Sequence, residues 1–195
     1  MTTLGIRIPR ITAEKFQEIC QANPNLRLEL TANGEVIAMS PTYFWTGKQN
    51  SGLTAQLWNW NDRTELGIVF DSSAGFTLPN GAVRSPDAAW IVKERWNNLT
   101  EEQQRYAFSS IAPDFVVELR SSSDDLAILQ VKMQEYLDNG VQLGWLIDPQ
   151  QRRVEIYRMD QPAEILELPV TLSGENLLPG FELQLSKVWG LKSED

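Results

Sequence analysis

The chain of 195 residues contains no histidine. That absence removes Ser-His-Asp and Cys-His catalysis, histidine-zinc motifs and paired-histidine ribonuclease chemistry. Cysteine is nearly absent as well. Cys20 stands alone, so an internal disulfide and a cysteine-built zinc cluster are excluded. It falls in an expected amphipathic helix, where a buried, inert thiol is the simpler reading. Any metal must then be held by oxygen ligands, which favours magnesium or manganese. No apolar run approaches the roughly 18 residues needed to span a bilayer. The opening Met1-Thr2-Thr3-Leu4-Gly5-Ile6-Arg7 lacks the basic-then-apolar layout of a signal peptide. A cytoplasmic protein without a membrane partner is therefore expected. Positive charge is scarce: 17 Lys and Arg stand against 26 Asp and Glu, a net charge of -9. Such a chain is no sequence-blind nucleic-acid coat, although a local basic groove remains open to it.

Repeats, low-complexity segments and long linkers are missing too, so residues 1–195 are read as a single domain. A hydrophobic fraction of 42% suits an ordinary globular core. Thr12 is positioned to cap a first helix through Gln21, broken by Asn23-Pro24-Asn25. Leu26 to Leu30 alternates as a strand, and Asn33-Gly34 signals a hairpin into Glu35 to Met39. A helix is expected from about Thr46 through Asn61, with Leu53, Leu57 and Trp60 on one side. Strands follow near Gly67 to Phe70, Gly75 to Leu78 and after Asp87, then a polar connection containing Thr100 to Gln104. A further strand around Glu118 leads through Ser121 to Asp124 into a helix stopped at Asn139-Gly140. Leu143 to Ile147, Arg153 to Arg158 and a tail near Leu178 to Leu185 read as later strands. This order predicts an α/β or α+β fold with a mixed central sheet flanked by helices and an added N-terminal hairpin.

Two acids interrupt otherwise apolar strands: Asp87 in Ser85-Pro86-Asp87-Ala88-Ala89-Trp90-Ile91-Val92, and Glu118 in Pro113-Asp114-Phe115-Val116-Val117-Glu118-Leu119-Arg120. Burying a carboxylate is costly unless a cation or positive partner meets it. Two carboxylates converging on a cleft hold a divalent ion that polarises a phosphodiester and lowers the pKa of a bound water. A nearby lysine adds positive charge for the transition state.

In that order, Arg84-Ser85-Pro86-Asp87 and Pro113-Asp114-Phe115-Val116-Val117-Glu118 resemble the PD-(D/E)XK nuclease superfamily. The chain is similar nearly end to end to its Uma-type branch of restriction endonuclease relatives. Supporting pieces are Leu28-Glu29-Leu30, Met39-Ser40-Pro41-Thr42, Ser73-Ala74-Gly75-Phe76, Lys132 through Gly140, Gly144 through Pro149 and Leu178 through Glu182. The resemblance implies a restriction-endonuclease-like core and a magnesium- or manganese-dependent endonuclease acting on DNA, expected as a homodimer. Asp87 and Glu118 take the two acidic positions, and Glu29 resembles a further acid that meets the metal directly or through water. The signature lysine would fall at Arg120, which cannot accept a proton. Lys132 of the following helix is then the candidate catalytic lysine, and Arg120 a phosphate contact. Ser122 departs from the proline usual in this branch.

Plainer readings stand beside these. Asp87 also suits a turn cap, Glu118 a sheet acid paired with Arg120, Lys132 a solvated helix flank, Glu29 the outer side of an edge strand, and Asp114 a residue fixing the start of its strand. Tyr43, Phe44, Trp45, Trp58 and Trp60 suit core or dimer contacts as well as base stacking. A catalytically silent binding or assembly module, and an enzyme acting on RNA, are the competing functions. The DNA target and any methyltransferase partner are not legible in one chain.

Overall fold

Thr12 caps the first helix as expected: its side-chain oxygen accepts the backbone N–H of Lys15 at 3.3 Å. The computed structural model describes residues 11–105 and 110–190, so the opening segment Met1 to Arg7 lies outside the described residues. Helix α1 (Ala13–Ala22) buries Phe16 against the hairpin of β1 (Arg27–Leu30) and β2 (Val36–Met39). Cys20 is half-buried at the edge of that cluster, and burial pushes its thiol pKa up.

Helix α2 (Phe44–Thr64) is longer than its expected bounds at both ends and stops where Glu65 turns left-handed. It buries Leu53, Leu57 and Trp60, the stripe read from the sequence, together with Gln49. Next come β3 (Gly67–Asp71), β4 (Phe76–Thr77), β5 (Val83–Arg84) and β6 (Ala88–Val92). The polar connection then proves to hold two short helices, α3 (Lys93–Asn97) and α4 (Glu101–Arg105). Thr100 and Gln103 form a capping box: Gln103 N donates to Thr100 Oγ1 at 3.2 Å and Thr100 N to Gln103 Oε1 at 2.9 Å.

Strand β7 (Phe115–Leu119), helix α5 (Leu126–Asp138) and strand β8 (Leu143–Asp148) form a strand-helix-strand crossover. After them come β9 (Arg153–Arg158), β10 (Glu164–Glu167), β11 (Thr171–Ser173), β12 (Glu182–Gln184) and α6 (Ser186–Trp189). The main sheet has the order β10-β9-β8-β7-β6-β3. Within it β7 and β8 run parallel while their neighbours pair antiparallel, so the sheet is mixed. The early hairpin joins a second sheet of order β2-β1-β5-β4 rather than standing alone. Among the described residues no helix is long and apolar enough to cross a membrane.

Both faces of the main sheet are covered. Phe115, Val117 and Leu119 of β7 pack with Trp145, Phe181 and the α2 stripe, whereas Val116 packs with Leu146 and with Met133, Tyr136 and Leu137 of α5. Alternation along β7 therefore sends Glu118 toward α5, into a second core layer and not toward solvent. Its relative exposure is 5%. Trp60 belongs to the first layer, with ring centroids 5.9 Å from Trp90 and 5.5 Å from Phe181. Tyr43, Phe44, Trp45 and Trp58 are exposed.

Candidate active site

The register between β6 and β7 pairs Ala88 with Val117, so one step further Asp87 faces Glu118 at the end of the two strands. Hydrogen bonding fixes Asp87 there. Its Oδ2 accepts the backbone N–H of Leu119 at 2.8 Å, and its Oδ1 accepts Asn50 Nδ2 of α2 at 3.2 Å. Leu119 immediately follows Glu118, so the same short stretch of β7 carries one acid and anchors the other.

Helix α5 supplies the cation. Asp125 caps it by accepting Ala127 N at 2.8 Å, and it ends where Gly140, at φ 99°, lets Val141 N reach back to Tyr136 O. Between these ends Lys132 Nζ lies 2.9 Å from Glu118 Oε1 and 2.9 Å from Glu29 Oε1. One turn later Tyr136 donates its hydroxyl to the same Glu118 Oε1, also at 2.9 Å. Glu29 comes from β1 of the other sheet. Its Oε1 also accepts Ser85 N at 2.9 Å, and its Oε2 accepts Arg84 Nη1 at 3.1 Å. Arg84 in turn reaches Glu135 of α5 with Nε at 2.6 Å.

These contacts set the charges. Burial pushes Glu118 from the ordinary 4.5 up to about 7; Lys132 pulls it back in part, while Asp87 and Glu29 add to the rise. Asp87 is likewise raised, chiefly by burial. For Glu29 burial acts upward but is outweighed by Lys132, Arg84 and the Ser85 hydrogen bond, so its pKa is lowered. Burial alone would depress Lys132, yet Glu118 and Glu29 overcome it and the ammonium is held more firmly than usual. The site is thus a protonated lysine between two buried carboxylates, with a third acid alongside. Among the described residues no group of three or more His, Cys, Asp or Glu is arranged to hold a metal ion.

Asp87, Glu118, Lys132 and Glu29 are therefore brought together. Arg120 is not part of that group: Nη1 donates to Asp148 Oδ2 at 2.6 Å and Nε to Asp124 O at 3.2 Å. Glu118 pairs with Lys132, not with Arg120 as the plain sheet reading had it. Asp114 accepts Val92 N at 2.9 Å, Arg95 at 2.7 Å and Gln142 at 2.8 Å, the work of a residue latching β6, α3 and β8 to its strand. Gln130 bonds to Glu155 on β9, and the Ser121 loop is closed by Ser121 N donating to Asp124. Tyr136, Arg84, Glu135 and Asn50 escaped the sequence reading as site residues. The spacing of Lys132 and Tyr136, four residues apart on one helix, was the available signal for the tyrosine. Nothing in the sequence points to Asn50.

The sequence profile of the Uma2 family, described as "putative restriction endonuclease", matches residues 13–186. In three dimensions the chain is similar to the crystal structure of "a putative nuclease belonging to DUF820" from Anabaena variabilis. The TM-score is 0.79 at 20% sequence identity, covering 92% of this chain and 98% of the other. At that identity the likeness speaks for the fold. No curated protein sequence matches the chain.

Proposed function

The chain belongs to the Uma2 family, and on that footing we propose that it is a divalent-metal-dependent endonuclease hydrolysing DNA phosphodiester bonds. The observation that carries the reading is Lys132 bridging Glu118 and Glu29 beside Asp87. Asp87 and Glu118 would hold magnesium or manganese. Their donors are hard oxygens; burial, with neighbouring acids adding to it, raises the proton affinity of both, and a divalent ion between them would offset that cost of burying charge. Two carboxylates suffice for magnesium, which usually keeps several waters and takes further oxygens from its phosphate ligand. When bound, the ion supplies Lewis-acid polarisation of the phosphodiester and acidifies a bound water.

The chain's own residues do the rest. Lys132 is firmly protonated, so it offers positive charge to a phosphate and orients water; it is no proton acceptor in this state. Glu29 accepts hydrogen bonds from Lys132, Ser85 and Arg84, so it tethers the lysine, and it is the further acid that would meet an ion directly or through water. Arg120 has Nε and Nη1 committed, which leaves Nη2 for any phosphate contact. Cutting both strands at one place takes two such sites, so a homodimer is part of the proposal.

The test is cleavage of supercoiled DNA and of matched RNA with magnesium, for the wild type, Asp87→Asn and Glu118→Gln. Magnesium-dependent cutting of DNA lost in both variants supports the reading. Equal cutting by all three proteins rejects the site, and cutting of RNA alone redirects the substrate. A silent binding module is the second reading, favoured by a Glu118 already neutralised by Lys132 and by arginine at the signature lysine position. Calorimetry with manganese separates the two, because the silent module binds none.

A further inference from the structure

We propose that Tyr136 is a positioning residue that divides the two oxygens of Glu118, holding one for the protein and freeing the other for the ion. The inference rests on the metal-dependent reading of the site. Among the described residues, the protein groups that approach Glu118 converge on Oε1: Tyr136 OH at 2.9 Å and Lys132 Nζ at 2.9 Å. Both come from one face of α5, a single turn apart, and act as a two-pronged clamp. The prongs differ in freedom. Lys132 is a flexible stem shared with Glu29, and its ammonium lies 5.8 Å from the Tyr136 ring centroid. Tyr136 is a rigid ring, 0% exposed and packed in the layer with Met133, Leu137, Val116 and Leu146. Its carbonyl also anchors the helix stop, accepting Val141 N at 3.1 Å.

The phenol therefore has one direction to point, and Glu118 Oε1 lies along it. A carboxylate fixed through one oxygen presents the other at a set angle, with no rotamer search when an ion arrives. Lysine alone would not do this, because an ammonium is a point charge that tolerates either oxygen. Hydrogen-bond partners of metal-binding side chains commonly contribute 10- to 100-fold in metal affinity, which sets the size of the expected effect.

The test compares the full chain with its Tyr136→Phe variant, which keeps the ring and removes only the hydroxyl. Expected results are a melting temperature within a few degrees of wild type, manganese binding weaker by about tenfold in calorimetry, and a Glu118 carboxylate rotated in the variant's crystal structure. Wild-type manganese affinity in a folded variant, or an unmoved Glu118, overturns the role of Tyr136 and leaves the metal site standing. No manganese binding by the wild type instead sinks the metal reading itself, and this inference with it. If the variant does not fold, carbon-13 labelled tyrosine in the wild type serves. Magnesium then shifts the ring carbon bearing the Tyr136 hydroxyl, and a resonance that stays put overturns the proposal.

Discussion

Asp87 and Glu118 are tied together through a single peptide: Asp87 accepts, at 2.8 Å, the backbone N–H that follows Glu118 in β7. An asparagine at 87 retains an oxygen acceptor for that N–H while losing the negative charge, and its amide meets an acceptor once Asn50 turns its own oxygen toward it in place of Nδ2. Asp87→Asn is therefore expected to keep the melting temperature nearly unchanged and to reduce magnesium-dependent cleavage by at least ~100-fold, the scale of several kcal/mol of metal-derived stabilisation. Thermal melting and plasmid nicking on one preparation check both halves. A large loss of stability would mean that the charge at 87 holds the fold.

Lys132 neutralises two buried acids, so its removal should be felt as strain. Lys132→Met leaves Glu118 and Glu29 without their shared cation, and breaking such a buried pair costs about 3–5 kcal/mol. Adding Glu118→Gln to that variant should recover a good part of the loss. Urea denaturation of the single and double variants reads the coupling. A double variant no more stable than the single would deny it.

Glu118 also makes stability depend on pH when chelator keeps divalent ions away. Its folded value of about 7 stands above the ordinary 4.5, so between these values the folded state binds more protons than the unfolded state. Stability then falls as pH rises through that window and levels off above it, by about 3 kcal/mol at most at roughly 1.4 kcal/mol per unit. Glu29, shifted the other way, contributes stability that is present above the ordinary 4.5 and is lost as pH falls from there through its lowered value. Melting temperatures at pH 5 and 7.5 should thus differ in wild type and draw together in Glu118→Gln. Magnesium at pH 7.5 should restore what the wild type lost.

A change at Gly67, away from the site, tests the packing of the main sheet. A Cβ there would sit 2.2 Å from Ile91 O and 2.3 Å from the Trp90 ring. Neither neighbour can withdraw: Ile91 O belongs to the paired strand β6, and Trp90 is fixed by its Nε1 donating to Asn61 Oδ1 at 2.8 Å. Gly67→Ala is expected to destabilise by about 3 kcal/mol or more, seen as a lower urea midpoint. A variant as stable as wild type would show that β3 can shift away.

The strands and long helices were legible because hydrophobic period is a local signal. Leu53, Leu57 and Trp60 marked the buried side of α2, and Asn139-Gly140 marked the end of α5. Asp87 and Glu118 stood out because an acid within an apolar strand violates that period. The partners of Glu29 did not stand out, since Lys132 lies 103 positions away and Arg84 lies in a different strand. Arg120 misled for the same reason. Proximity in sequence suggested Glu118, but the parallel register that pairs Leu119 with Ile147 sets Arg120 beside Asp148 at the end of β8. The second sheet was hidden because β5, which joins the hairpin to β4, is two residues long, too short for any period to register. Helix α4 was readable through Thr100 and Gln103, a capping box that the polar composition obscured.

Lys132 rivets the small sheet to the large one, since Glu29 belongs to the first and Glu118 to the second. A copy whose hairpin has peeled away loses Glu29 and with it the tether on Lys132, whereas one whose α5 has been cut loses the cation itself. Assembly of the acid-lysine cluster thus reports whether the two sheets are docked, and a chain in which they separate loses the cluster with them.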